Sequence, residues 1–437
     1  MARRSVSWVV LAAALALVGC SPARDRFSQF LGQPSAAATP ARLAYVAEDN
    51  HVYTVALEGG DPLRADSIPG EQPVAGEVRI SRWPTWTSDG ARLAFMRLRS
   101  GEGDEPANAA IWTTAPDGSD LHKIWESQDL APIYMAWSPD ASALALLVQN
   151  NDTLALQLLD PAGARPPRTV AEGGPLYFSW SPDAAELLIH VGGDHRSNQK
   201  AELSVLRPGP NDERRSLASP PADFRAPAWS PDGTRLAYIA EAQDKSAVLI
   251  VSNAGGGESV RLAPLGDEAA FLWSPNGDYL AFGSRSPTER IFYQGLEVVK
   301  SDGSGRAQIT QEAVMAFFWS PDGKKLAFAS IDRQAQALAW FVSDSTGKSR
   351  KQVGTFLPSQ DQIRHFAFFD QYAQSHALWS PDSRYLVYTG LPAGARADPT
   401  AARRSRVFVV PADGSAEAKA IVDGNLAIWP AHTARGR

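Results

Sequence analysis

The chain has one cysteine in 437 residues, which excludes an intramolecular disulfide framework, a cysteine-ligated zinc site and a Cys-x-x-Cys redox pair. It also lacks a basic excess: 42 Lys plus Arg stand against 48 Asp plus Glu, for a formal net charge of −6. Without surplus cations to neutralise phosphates, the composition argues against a nucleic-acid partner. No glycine-rich phosphate loop, HExxH pair, EF-hand loop or G-x-S-x-G nucleophile elbow occurs. Beyond the first 18 residues no apolar run approaches the roughly 20 residues of a membrane-spanning helix.

Arg3 and Arg4 precede an apolar run over 6–18 that is short for a membrane span and reads as an export signal. The run ends in Leu17-Val18-Gly19-Cys20, which resembles the bacterial lipobox. That resemblance implies cleavage before Cys20 and conversion of its thiol to a diacylglyceryl thioether. Residues 21–40 are rich in Ser, Ala and Pro and read as a tether. Ser21, which is not the Asp associated with inner-membrane retention, favours the periplasmic side of an outer membrane where there is one.

The remainder is a repeat. One phrase recurs as WTSDGARLAFM from Trp86, WSPDASALALL from Trp137, WSPDAAELLIH from Trp180, WSPDGTRLAYI from Trp229, WSPNGDYLAFG from Trp273, WSPDGKKLAFA from Trp319 and WSPDSRYLVYT from Trp379. Each copy reads as a β-hairpin: an aromatic-ended strand, a turn in which Pro presets φ and Gly or Asn accepts φ > 0, and a short apolar strand. Eight further hairpins follow at 52–63, 111–124, 154–170, 203–217, 248–262, 296–310, 340–353 and 407–421. The unmatched first hairpin is split between RLAYVA at 42–47 and NLAIWP at 425–430. The pattern predicts an all-β fold: an eight-bladed β-propeller of four-stranded antiparallel blades, its ring closed by N- and C-terminal strands that share one blade.

The W-S-P-D-G-x-x-L-A-F phrase is similar to the WD-like repeats of TolB-like propellers and of the N-terminal propellers of the prolyl oligopeptidase and dipeptidyl peptidase families. The resemblance covers 41–432 and implies the fold more than a function. TolB-like proteins carry an α/β domain before the propeller, and the peptidases append an α/β-hydrolase domain; neither is expected from this sequence, since about 20 residues separate Cys20 from the first strand and no G-x-S-x-G occurs. The expected organisation is a signal peptide at 1–19, a lipidated Cys20 and tether over 20–40, the propeller over 41–432 and a tail at 433–437.

The recurring Trp and Leu-Ala-Phe residues are expected to pack between blades, and each recurring Asp to cap its own turn. Function must then lie in links that break the repeat: 97–110, 191–202, 354–377 and 389–406. The 354–377 link carries Phe356, Arg364, His365, Phe366, Phe368, Phe369, Tyr372 and His376, the composition of a binding anchor. Phe366 and Phe368 would pack inward instead if they alternate on a strand. The 389–406 link adds Arg403 and Arg404, suited to an acidic partner. His190, Asp194 and His195 are a weak metal candidate.

These residues point to a lipid-anchored envelope scaffold that binds another envelope protein, without catalysis, cofactor or nucleic acid. The alternatives are a carbohydrate- or peptide-binding propeller, or a channel-metal enzyme such as a lyase-like propeller. The anchor predicts that a fatty-acid probe labels the wild type and leaves a Cys20→Ser variant unlabelled; equal labelling of both would refute it.

Overall fold

The computed structural model describes residues 42–431, apart from 58–59, 72–76, 101–107, 152, 194–199, 218–220, 223–224, 243–245, 267, 287, 290 and 394–403. The first strands are β1 (Arg42–Val46), β2 (Val52–Ala56) and β3 (Leu63–Arg64). Four sheets of four consecutive strands follow. The first of these holds β4 (Val78–Trp86), β5 (Leu93–Ser100), β6 (Asn108–Thr114) and β7 (His122–Ser127). The next holds β8 (Ala131–Trp137), β9 (Leu144–Asn150), β10 (Thr153–Leu159) and β11 (Arg168–Gly173). Then come β12 (Leu176–Trp180), β13 (Leu187–Val191), β14 (Glu202–Arg207) and β15 (Glu213–Ser216), and after them β16 (Ala228–Trp229), β17 (Arg235–Glu241), β18 (Ala247–Asn253) and β19 (Ser259–Leu265).

A ten-stranded sheet contains β20 (Glu268–Trp273), β21 (Tyr279–Arg285), β22 (Tyr293–Lys300), β23 (Ala307–Trp319), β24 (Lys325–Asp332), β25 (Ala337–Asp344), β26 (Arg350–Pro358), β27 (Tyr385–Pro392), β28 (Arg406–Pro411) and β29 (Lys419–Asp423). Its long β23 serves two partners, pairing with β22 up to Val314 and with β24 from Val314 onward. Helices α1 (Gln360–Ala367) and α2 (Phe369–Tyr372) lie between β26 and β27. The last strand, β30 (Leu426–Ile428), returns to β1, giving a four-stranded sheet of order β3-β2-β1-β30. The two ends of the repeat therefore share one sheet, as their half-motifs predict.

The repeat fixes one register throughout. Trp86 stands opposite Leu93, Trp137 opposite Leu144, Trp180 opposite Leu187, Trp229 opposite Leu236, Trp273 opposite Leu280, Trp319 opposite Leu326 and Trp379 opposite Leu386. Buried clusters then join each sheet to the next. Trp86 and Phe95 pack with Ile428, Trp137 with Met96, Phe178 with Leu147, Trp229 with Leu188, and Trp273 with Ile239. Four motif indoles add a directional bond to the preceding tryptophan strand: Trp137 Nε1 donates to Thr85 O (3.2 Å), Trp180 to Ala136 O (3.3 Å), Trp319 to Leu272 O (3.2 Å) and Trp379 to Phe318 O (3.0 Å). Each acceptor immediately precedes the motif tryptophan of its own strand.

The Ser-Pro-Asp turns are tied by three recurring bonds. The Ser or Thr hydroxyl donates to the Asp or Asn side chain two residues on, at 2.5–2.7 Å. That side chain accepts the main-chain N–H two residues further along, and the hydroxyl accepts a main-chain N–H from the far side of the turn. Partial burial would raise the carboxyls of Asp140, Asp232 and Asp322, but these hydrogen bonds outweigh it and hold them below the usual range. The repeated Asp is thus a turn cap.

The fourth turn residue is left-handed in every copy: φ is 69° at Gly90, 71° at Gly233, 75° at Gly277 and 69° at Gly323, but also 60° at Ala141, 62° at Ala184 and 60° at Ser383. A side chain in that region costs about 1–2 kcal/mol, partly offset by the extra unfolded-state freedom of Gly. Ala141→Gly and Ala184→Gly should each raise the unfolding free energy by about 0.5–1 kcal/mol, and Gly323→Ala should lower it, with unchanged urea m-values. Equal stability across the three variants would contradict this reading of the turn.

Candidate functional site

The 354–377 link opens as the end of a strand and continues as two short helices. β26 runs to Pro358, Ser359 caps α1 by accepting the Gln362 N–H at 3.0 Å, and two short helices follow. A Ser with Gln three residues on is a helix-start signal, and Gln362, His365, Phe366, Phe369 and Tyr372 recur at helical rather than strand spacing. The expected alternation of Phe366 and Phe368 on a strand is corrected accordingly.

The helices turn their aromatic face onto strands from several sheets. Phe366 meets Trp340 of β25 and Phe318 of β23; Phe369 meets Phe317 of β23 and Tyr293 of β22. Tyr372 is stacked at 5.1 Å on Trp83 of β4 and packs against Tyr134 of β8. Trp83 holds φ 52°, an uncommon backbone state for a bulky residue, at a bulge in β4. The same bulge brings Arg82 Nη1 to Asp361 Oδ1 at 3.3 Å, where Arg364 also reaches at 3.2 Å.

Polar contacts complete the seat. Thr85 Oγ1 donates to Ser375 O (3.0 Å), Tyr134 Oη to Gln371 O (3.1 Å), and Ser179 Oγ of β12 to Gln374 Oε1 (3.1 Å). Gln362 Oε1 accepts the Thr389 N–H at 3.0 Å, and Ser359 Oγ donates to Asn425 O at 2.5 Å, beside β30. His365 Nε2 donates to His376 O at 3.0 Å, and His376 Nδ1 lies 2.7 Å from Ser375 Oγ. Burial pushes His365 down to about 4 and His376 well below its ordinary value, so both are neutral near pH 7. Gln362 Nε2, His365 Nδ1, Gln371 Nε2 and His376 Nε2 are buried without a hydrogen-bond partner among the described residues. Each such atom costs roughly 1–3 kcal/mol.

Asp370, half-buried, accepts the Gln371 N–H and shares its surroundings with Tyr177, Tyr293, Arg225 and Arg285. Desolvation outweighs the attraction of the two arginines and raises its carboxyl to about 6. Arg285 in turn lies over the Tyr293 ring and pairs with Glu268 at 2.6 Å.

Of the residues expected to form an exposed anchor, Phe356 is buried on β26, and His365, Phe366, Phe369, Tyr372 and His376 are buried because the insertion folds its aromatic side inward. Phe368 (51% exposed) and Arg364 face outward, joined by Ile363 at 41%. Arg404 lies 3.5 Å from Glu48, and Arg403 falls outside the described residues. His190 is buried on β13, its Nδ1 donating to Arg225 O at 2.7 Å, while Asp194 and His195 fall outside the described residues. Among the described residues no group of three or more His, Cys, Asp or Glu is placed to hold a metal ion. Trp83, Tyr134 and Ser375 had no sequence signal, since only the packing of distant strands brings them together, whereas Gln362 carried the helix-start cue with Ser359.

No known family's sequence profile matches the chain. A 95-residue stretch is 34% identical to the uncharacterized peptidase YuxL of Bacillus subtilis (strain 168), covering 18% of this chain and 14% of that protein. The chain therefore matches about one seventh of that protein's length. This overturns the expectation of a non-enzymatic protein, because the stretch with detectable kinship is shared with a peptidase. Among solved structures, a eukaryotic initiation factor superposes with a TM-score of 0.51 at 11% identity, over 91% of this chain and 99% of that one. TolB from Acinetobacter baumannii gives 0.39 at 14% identity, over 63% and 79%. At these identities the likeness is one of fold alone, and the fold is all-β, built of antiparallel sheets that are mostly four-stranded.

Proposed function

We propose that the chain is a lipid-anchored, extracytoplasmic propeller of eight blades, closed through the β1–β30 sheet, that binds another envelope protein on the outer surface of its helical insertion. Support for the ring comes from the unbroken series of sheet-to-sheet contacts and from the bridge between Ala377 and Trp429, which links the last motif to the end of the chain. The observation that carries the binding reading is the pair Ile363 and Phe368. Of eight large apolar side chains exposed among the described residues, these two share one short insertion, and Phe368 is the aromatic one. Single exposed apolar residues are ordinary, but an exposed aromatic with an apolar neighbour and Arg364 has the make-up of an interface hot spot.

A second reading, action on peptides, is favoured by the match to YuxL. It makes a peptide the first substrate class to screen, by mass spectrometry of a peptide library incubated with the purified protein.

Because Phe368 and Ile363 lie outside the core, Phe368→Ala and Ile363→Ala should leave the thermal midpoint unchanged. Each should weaken capture of the partner in an in-cell crosslinking pull-down, the pair by about 30-fold, as expected of a hot spot worth about 2 kcal/mol. An unchanged set of captured proteins with the folded double variant would remove this surface from consideration.

A further inference from the structure

The insertion is seated on β4 and β8 through its own main-chain carbonyls, those of Ser375 and Gln371, which accept from Thr85 and Tyr134. Such donors would receive the carbonyls of any peptide segment of similar shape. The insertion's polar side chains are served less well. His376 Nδ1–H, Ser375 Oγ–H and Tyr134 Oη–H form a chain of donors ending at Gln371 O, an assignment that leaves His376 Nε2 a bare acceptor. Donation by His365 Nε2 leaves its Nδ1 in the same state, and Gln362 and Gln371 each bury an amide nitrogen without a partner among the described residues. We propose that residues 359–376 are a displaceable plug: an internal ligand that occupies a peptide-binding surface on β4 and β8 and withdraws as the medium is acidified. The proposal does not use Phe368 or Ile363, so its failure and that of the partner surface described above are distinguishable.

The sign of the pH effect follows from every titratable group around the two histidines. On the insertion these are Asp361, Arg364, Asp370 and Tyr372. Facing it are Arg82 of β4, Tyr134 of β8, Tyr177 of β12, Glu268 of β20 with its partner Arg285 of β21, Tyr293 of β22, and Arg225 before β16. The arginines and tyrosines do not change charge between pH 4 and 7. Each histidine is harder to protonate when docked than at its ordinary value of 6.5, so docking is complete above that value and weakens as pH falls. Asp370 opposes this: raised to about 6 when docked, it takes up a proton in the docked form first and favours docking as pH falls. Near pH 5, release gains two histidine protons and loses one carboxyl proton, a net uptake of about one.

Hydrogen exchange of segment 359–376, corrected for the intrinsic rate at each pH, tests this. In the wild type the opening equilibrium should rise about tenfold per pH unit between pH 6 and 4, while β9 and β24 stay protected. Asp370→Asn removes the opposing proton and should bring the slope close to a hundredfold per unit. His376→Gln should flatten it. A labelled peptide of residues 369–376 carrying His376→Gln should bind the wild type at least tenfold more tightly at pH 5 than at pH 7.5. The plug is refuted if the segment exchanges only together with β9 and β24, or if the His376→Gln slope equals that of the wild type. Peptide binding that is absent or equal at both pH values refutes the assigned surface.

Discussion

The structure depends on how each tryptophan strand docks against the one before it. A motif indole covers the preceding sheet, and in four copies its N–H bonds the carbonyl just before that sheet's own tryptophan. This couples two distances: the register within a hairpin, with Trp always opposite Leu, and the offset between hairpins. A register slip of one residue would turn the indole from the buried to the outer side of its sheet and lose both. The neighbouring turn, with its Ser, Asp and left-handed fourth residue, prevents that slip locally. Trp86, Trp229, Trp273 and Trp429 occupy equivalent places without a partner for the indole N–H among the described residues. Apolar burial therefore carries the docking, and the hydrogen bond adds direction.

That economy explains what could be read from the sequence. Turn caps are set by residues within five positions of one another and recur with the tryptophan hairpins often enough to be recognised, and the sheet shared by both ends is announced by the half-motifs at 42–47 and 425–430. The insertion is different. Its aromatics were visible, but their direction was not: a helix of eight residues has little intrinsic stability, so tertiary contacts decide its orientation. Ser359 and Gln362 held the usable local cue. That Phe366 would find Trp340 while Phe368 would face water depends on where β23, β25 and β27 stand, which no local pattern encodes. His190 illustrates the same limit, because its burial and its bond to Arg225 O depend on a neighbouring sheet.

Repetition also restricts where function can reside. A residue present in seven turns and engaged in the same three bonds in each is committed to the scaffold. The insertion occurs once, is attached to β26 and to the bridged segment at Trp379, yet touches β4, β8, β12, β20, β22, β23, β25 and the residue before β30. Its buried side combines well-packed aromatics with incompletely satisfied polar atoms. Packing of this quality supplies position, whereas the unpaired nitrogens lower the cost of leaving.

An element that contacts many sheets while belonging to one has a thermodynamic consequence. Anything that binds its outer surface stabilises the docked arrangement, and with it the relative positions of all the strands it touches. A ligand that takes the strands beneath it favours release, and because linkage is reciprocal each ligand weakens the other's binding by one common factor. On the two proposals together, Phe368 and Ile363 on one side and Thr85 and Tyr134 on the other would act as opposed sites, even though no residue is common to both. A partner held on the outside would thus make the inner surface less available, and a peptide held inside would weaken the partner's hold.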